Sequence, residues 1–421
     1  MVTGAGGDGG ASGHGVAGAN ERVDGRGAGL VVDGVRTESG RPEASSADIF
    51  DAARVVGGAI RIVAIEGAPL SVPLRDPFVI ATGRIDVTRA VLVRATLEDE
   101  GGRRAVGLGE AAALPPVTHE DQPELLDLIA RAGKVLAGVR LTSLAGAAAK
   151  LEETVPDSAV ARAGLEGAIL DAWARLHGTS VACLLGAPVA KPLPVLTTDI
   201  TLPITTPAAM TALALRHRAA GFTCFKVKVG RDWRADRESL RAVAAAVPDA
   251  HFRLDANGGF TARDALALLD ATAEAGLIVE CYEQPCARED LAGMAEVTAR
   301  SAVPVVADES FRGEADLQAI IAHRAAHAVN LKLVKLGGLL KAITLARTAR
   351  AAGLRLMAGA MVETRVGLLA MAHVVAALGG VDWVDLDTAF LLAEDPFEGG
   401  WSVDGPRISL TARPLAELRS R

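Results

Sequence analysis

The sequence predicts an α/β protein, a (β/α)₈-type barrel preceded by a smaller α+β domain that caps it. Three observations carry this. Short apolar runs (FKVKV, HFRLDAN, LIVECYEQP, VPVVADES, AVNLKLVKLGG) recur about every 24–28 residues, roughly one strand-plus-helix unit, and read as buried parallel strands. Ala/Leu/Arg-rich stretches of helical period, such as RADRESLRAVAAAV and ARDALALLDATAEAG, lie between them. Each run also turns polar at its C-terminal end, in order Lys226 and Lys228, Asp255, Glu283, Asp308, Lys332 and the pair Asp385/Asp387. In a closed barrel those groups share one mouth, where such folds keep their chemistry.

The elements follow in order. Residues 1–58 are rich in Gly, Ala, Asp and Ser and too poor in large apolar side chains to offset the entropy of ordering, so they read as a disordered tail or as the product of an upstream start codon. From Ala59, IRIVAIEGAPLSVPL and AVLVRATLEDEGGRRAVGLGEAA alternate apolar and polar residues about a Gly-containing turn, the pattern of antiparallel strands. Helical period follows in ELLDLIARAGKVLAG and AVARAGLEGAILDAWARLHG, giving an α+β domain over 59–190. The barrel spans 191–390, with strands expected near 195, 224, 252, 279, 304, 329, 355 and 382. The last segment, 391–421, returns to the alternating style in FEGGWSVDGPRISL and is expected to fold back on the first domain.

Composition sets limits. With 421 residues, half of them apolar, the chain can bury a large core, and its net charge of −7 argues against nucleic acid as a partner. The four cysteines (Cys183, Cys224, Cys281, Cys286) lack zinc-like spacing and read as reduced. No apolar stretch reaches the roughly 18 residues of a membrane helix and the N-terminus lacks signal-peptide order, so a cytoplasmic enzyme is expected. Homo-oligomers are common for this architecture, and one is expected here.

Asp255, Glu283 and Asp308 offer three hard oxygen donors on successive strand ends, a set that favours Mg²⁺ over zinc or copper. Lys226 and Lys228, two apart on one strand, leave the same face. Neighbouring ammonium groups and a divalent cation disfavour protonation, which suits one of these lysines to act as a base. Lys332 lies four strands later, on the opposite wall, so a carbon held between would meet an amine on each face. Nothing resembles a nucleotide-binding loop.

Together these residues resemble the enolase superfamily, specifically its muconate lactonizing enzyme subgroup, a modified TIM barrel with a capping domain. The resemblance extends from residue 60 to about 410 and includes ARAGLEGAILDAWARLHG and the string at Leu184 to Gly186. It implies Lys228 and Lys332 as bases on opposite faces, Lys226 as modulator of Lys228, and magnesium on Asp255, Glu283 and Asp308. A lysine base with a magnesium-stabilised intermediate is a known pattern of that superfamily. Asp385-Leu386-Asp387 and the string from Met361 through Glu363 to Thr364 are similar to the dipeptide epimerases, where the two acids meet the substrate ammonium. Thr198 and Asp199, ending the first barrel strand, match a similar family string, and Arg84 of ATGRI is placed like a loop that covers the mouth and meets an acidic substrate side chain. The implied reaction is epimerisation of a small dipeptide such as Ala-Glu. The rival readings are o-succinylbenzoate synthase, muconate cycloisomerase or N-acylamino acid racemase chemistry, and a non-catalytic barrel. One departure concerns the C-terminus, where ISLTARPLAEL stands in place of a Pro-Gly-Leu-Gly-like string.

Overall fold

The computed structural model describes residues 58–411, except 82, 116 and 189–191, together with 416–417. The expected tail lies outside the described residues but for its last position, as do residues 412–415 of the C-terminal string.

The alternating segments form an antiparallel sheet in the order β5-β4-β1-β6, from β1 (Ile60–Leu70), β4 (Arg89–Glu98), β5 (Arg104–Ala113) and β6 (Arg140–Leu141), with β2 (Pro73–Ile80) and β3 (Gly83–Val87) as a separate hairpin. The β4–β5 turn is closed by hydrogen bonds between Asp99 and Arg103, and Gly102 supplies the left-handed conformation (φ +79°) that other residues resist. Helix Gln122–Leu136 begins with a capping box, Asp121 and Glu124 each satisfying the other's backbone, and it lays Leu125, Ile129 and Leu136 on the sheet.

Helix Ala159–Leu176 is apolar nearly all round because it is sandwiched. On one side its backbone lies against β5, at Gly107 and Gly109; a Cβ at Gly107 would overlap the backbone of Ala168 and Ala172. On the other side Glu166 reaches the barrel. Helix Leu339–Ala351 starts after Gly338, which has no side chain to cap it, and Glu166 accepts the N–H groups of Leu339 and Leu340 instead. Glu110 on β5 does the same for helix Arg365–Leu378, accepting from the N–H of Thr364 at 3.0 Å and of Gly367 at 3.0 Å. Two carboxylates of the first domain thus cap two barrel helices and seat the domain on the mouth.

Eight parallel strands follow in chain order: β8 (Ile200–Leu202), β9 (Cys224–Lys228), β10 (His251–Asp255), β11 (Ile278–Glu283), β12 (Val305–Ala307), β13 (Ala328–Leu331), β14 (Arg355–Ala358) and β15 (Trp383–Val384). Cys281, Val306, Ala328, Met357 and Trp383 pack together as an apolar cluster within the sheet.

The first barrel strand corrects the expectation. PVLTTDITL breaks in two: β7 (Val195–Thr197) leaves the barrel to pair antiparallel with Arg407–Ser409, and the buried strand begins at Ile200. The break falls at Asp199, whose carboxylate turns inward to Arg253 Nη1 at 2.8 Å. Between β8 and β15 the barrel is closed largely by side chains: Leu386 N–H donates to Thr198 Oγ (2.9 Å), Thr201 N–H to Asp387 Oδ2 (2.6 Å), and Arg253 to the Val384 carbonyl (2.8 Å). The C-terminal segment touches the first domain at Leu392 and Ala393, which bond to Arg75 and Pro73, whereas its hairpin Trp401–Asp404/Arg407–Leu410 joins β7.

Candidate active site

The strand register builds the site. Asp255 stands beside Lys228 on one neighbour and Glu283 on the other, so the ends of β9, β10 and β11 present charge at one level. Lys226 Nζ lies 3.1 Å from Asp255, 2.7 Å from Glu283 and 2.6 Å from Asp385. Lys228 Nζ is 2.6 Å from Asp255, with its ammonium 5.8 Å from the Phe78 ring of the capping domain. Across the barrel Lys332 is 2.8 Å from Asp308, whose other oxygen meets Lys335. The side chains of all these lysines and acids are buried.

Burial disfavours the charged form of every carboxylate here, and neighbouring charge decides the outcome. For Asp255 the ammonium groups of Lys228 and Lys226 outweigh burial and hold the carboxyl well below its usual range; Lys332 and Lys335 do the same for Asp308. Burial and the charge of Asp255 push Glu283 up to about 7, and burial and Asp385 push Asp387 up to about 7. Burial also works against the charge on Lys332, but Asp308 and Glu283 outweigh it and raise its pKa above the ordinary lysine range. Of the pair expected to feel cationic neighbours, Lys226 is likewise held above the ordinary lysine range in the protein alone, because Asp385, Glu283 and Asp255 outweigh its burial.

Lys226, Lys228, Lys332, Asp308, Met361, Asp385 and Asp387 line one cavity, with Asp255 and Glu283 bonded beneath it. Glu363 stands behind the wall, where its carboxylate accepts the Met361 N–H at 2.8 Å; burial and the charge of Glu110 raise it to about 8. Thr198 lies in the seam, and Thr201 faces the cavity in its place. Arg84 is not brought to the mouth: it sits on β3, its side chain 60% exposed, and pairs with Asp86 at 3.0 Å.

Several positions around the site escaped the sequence reading. Lys335 lies three residues after Lys332 on a one-turn helix, a spacing that puts both on one face. Asn257 of DAN donates to Glu309 of ADES (3.1 Å), and Asn330 donates to Glu283 (2.7 Å), both tying together strand ends already singled out. Gln284 of EQP, held at φ +35°, accepts the N–H groups of Asp308 and Ser310 and fixes that loop. Arg253 and Phe78 carried no sequence signal; one lies inside an apolar strand and the other comes from a different domain.

A divalent cation fits this donor set. Among the described residues Asn257 Oδ1 and Glu309 Oε2 are buried oxygens with no hydrogen-bond donor, as acceptors awaiting positive charge would be, while Glu283 Oε2 is met by the Lys226 ammonium at 2.7 Å. The most compact trio of carboxylates is a different one, Asp199, Asp385 and Asp387, within 4.8 Å of one another. Those three are already engaged by Arg253, Lys226 and the Thr201 N–H. The hard, ionised oxygens of Asp255 and Asp308, with Glu283, suit magnesium better.

Comparison with known proteins identifies the family. Residues 64–186 match the mandelate racemase / muconate lactonizing enzyme N-terminal domain, and residues 209–414 match the enolase C-terminal domain-like family. An aromatic dipeptide epimerase of Herpetosiphon aurantiacus is 37% identical over 350 residues, 83% of this chain and 96% of its own. The L-Ala-D/L-Glu epimerase of Bacillus subtilis, solved as a substrate-liganded complex, superposes with a TM-score of 0.79 at 30% identity, over 84% of this chain and 97% of that one. A dipeptide epimerase of Enterococcus faecalis, solved with Mg and the dipeptide L-Leu-L-Tyr, gives 0.77 at 29% identity, over 85% of this chain and 100% of that one. The chain therefore belongs to the mandelate racemase / muconate lactonizing enzyme family of the enolase superfamily, on its dipeptide epimerase branch.

Proposed function

We propose that the protein is a magnesium-dependent dipeptide epimerase, inverting the α-carbon of the substrate's C-terminal residue by 1,1-proton transfer. The observation that carries the reading is the opposition of Lys228 and Lys332 across one cavity, with Asp385 and Asp387 at its edge.

Asp385 and Asp387 receive the substrate's N-terminal ammonium, and charge-assisted hydrogen bonds fix the chain's direction. Lys228 and Lys332, four strands apart, then meet opposite faces of the α-carbon. The neutral amine on one side takes the α-proton, leaving the substrate as an enediolate; the ammonium on the other side returns a proton to the opposite face. The lysines exchange protonation states in each turnover and reset through solvent. Lys226, between Asp255, Glu283 and Asp385, holds the acids in register and keeps a positive charge beside Lys228. Asp255, Glu283 and Asp308 would hold Mg²⁺, which when bound stabilises negative charge developing on the substrate carboxylate and offsets the acids that otherwise raise Lys332. The elimination and cycloisomerisation readings take substrates without an ammonium and give Asp385/Asp387 no partner. The cavity wall from the capping domain is apolar, with Phe78, Ile80, Leu114 and Val117, so an apolar C-terminal residue suits it better than glutamate. Four free thiols and the absence of a membrane-length apolar helix among the described residues support a place in the reducing cytoplasm.

Incubating the protein with Mg²⁺ and a set of L,L-dipeptides in D₂O tests the reaction. Deuterium entering the C-terminal α-position, and stopping when EDTA is added, is the expected outcome. Bound magnesium without exchange into any dipeptide refutes the epimerase reading.

A further inference from the structure

A second cavity, of about 330 Å³, lies beside the mouth and shares Phe78 and Thr201 with it. Its position is tied to the clamp. Thr201 donates its N–H to Asp387 Oδ2 at 2.6 Å, and the one-turn helix that begins just after Asp387 contributes Ala389, Phe390 and Leu391 to the cavity wall. An ammonium held by Asp385 and Asp387 therefore places the first α-carbon of the peptide next to this opening.

The lining defines the class of group it admits. Phe78, Pro203, Leu213, Phe222, Phe390 and Leu391 supply apolar walls. The charged residues at its edge already have partners: Arg216 is paired with Asp76, and Arg75 Nε donates to the Leu392 carbonyl at 2.8 Å. His217 lies edge-on to Phe222, and Phe222 edge-on to Phe390, with centroids 6.2 and 5.7 Å apart. Burial, with the charge of Arg216 second, pulls His217 down to about 4, so it presents an uncharged ring at neutral pH. A cavity of about 150 Å³ suffices for benzene. This one holds an aromatic side chain with room over, and a methyl group would leave most of it unfilled.

We infer that this cavity is the binding site for the side chain of the substrate's N-terminal residue, and that the residue is large and apolar or aromatic. The inference rests on the epimerase reading and deepens it.

Exchange into the C-terminal residue of L-Phe-L-Ala, L-Leu-L-Ala and L-Ala-L-Ala, measured with Mg²⁺ in D₂O, tests it directly. The wild type is expected to favour the first two in kcat/KM by about 10-fold or more, and Leu213→Trp and Ala220→Leu, which fill this cavity and do not line the one that holds the lysines, are expected to erase that preference, the loss falling on L-Phe-L-Ala and L-Leu-L-Ala. Two variants are used so that misfolding of one, seen by circular dichroism, leaves the other to decide. A wild type that prefers L-Ala-L-Ala, or folded variants that keep the wild-type preference, overturns the cavity assignment while leaving the epimerase reading intact. Failure of exchange into all three dipeptides, and into a wider set, instead removes the reading on which it stands.

Discussion

In the barrel mouth the carboxylates of Asp255 and Asp308 each lie against two ammonium groups; at the seat of the capping domain those of Glu110 and Glu166 lie against peptide N–H groups at helix starts. All four are buried, and burial costs all four. In the mouth, full charges outweigh it and the acids stay ionised far below their usual range. At the seat, dipoles do not, and burial raises Glu110 and pushes Glu166 up to about 7. The same residue chemistry thus serves two ends: charge kept ready for a substrate and a cation, and a helix-capping acceptor that docks one domain on another.

The largest effect expected from breaking this contrast lies in the mouth. Lys332→Ala and Lys228→Ala each remove one face of the proton transfer and are expected to lower epimerisation by about 10²–10⁴-fold or more, with far-ultraviolet circular dichroism unchanged. Activity within a few fold of wild type in either variant would show that the lysines only neutralise Asp308 and Asp255. Next comes the clamp. Asp387→Ala removes one acceptor for the substrate ammonium, and a hydrogen bond to a charged group is worth about 1.5–3 kcal/mol, so KM is expected to rise by about 10- to 100-fold. An unchanged KM with lowered kcat would instead assign Asp387 to holding the seam through Thr201.

The interface gives a pH signature. Glu166 has a usual value of 4.5 and a folded value of about 7, so between these limits the folded state binds the proton that the unfolded state has lost. Stability from this group is therefore greatest below about 4.5, falls as pH rises through about 7, and is level above. Glu166→Gln keeps a neutral acceptor for Leu339 and Leu340 at every pH. Measured by urea unfolding, the variant is expected to match wild type near pH 5 and to exceed it near pH 8, by at most about 3 kcal/mol at roughly 1.4 kcal/mol per pKa unit. A variant destabilised equally at both pH values would mean that the charged carboxylate, not the neutral one, holds the helix.

The two regions also differ in how far they were legible. The mouth was read from residue order because barrel strands repeat at a fixed interval and end in polar residues; Lys226, Lys228, Asp255, Glu283, Asp308 and Lys332 needed only that rhythm. Glu110 and Glu166 sit in LGEAA and AGLEGA, strings whose partners lie far along the chain, so nothing local marks them as caps. The break at Thr198 and Asp199 was missed for a related reason. An apolar run of suitable length reads as one strand, and only the distant Arg253 and Pro406 show that it is two.

Arg84 offers the smallest effect and the sharpest use of the contrast. Its family-like position suggests a cation over the mouth for an acidic substrate side chain. Its surroundings are those of a surface residue: a largely exposed side chain, an exposed partner two residues away on the same strand, and a hollow that it shares with Val362 but not with the lysines. Exposed ion pairs contribute about 0–1 kcal/mol, against several for a cation that meets a substrate charge in a buried site. Arg84→Ala is therefore expected to leave kcat/KM for L-Ala-L-Phe unchanged and to alter L-Ala-L-Glu by less than about threefold. A selective loss of L-Ala-L-Glu turnover by about 10-fold or more would mean that β2 and β3 swing inward when substrate binds, carrying Arg84 from Asp86 to the mouth, and would replace the apolar wall of Phe78 and Ile80 with a charged one as the determinant of the C-terminal residue.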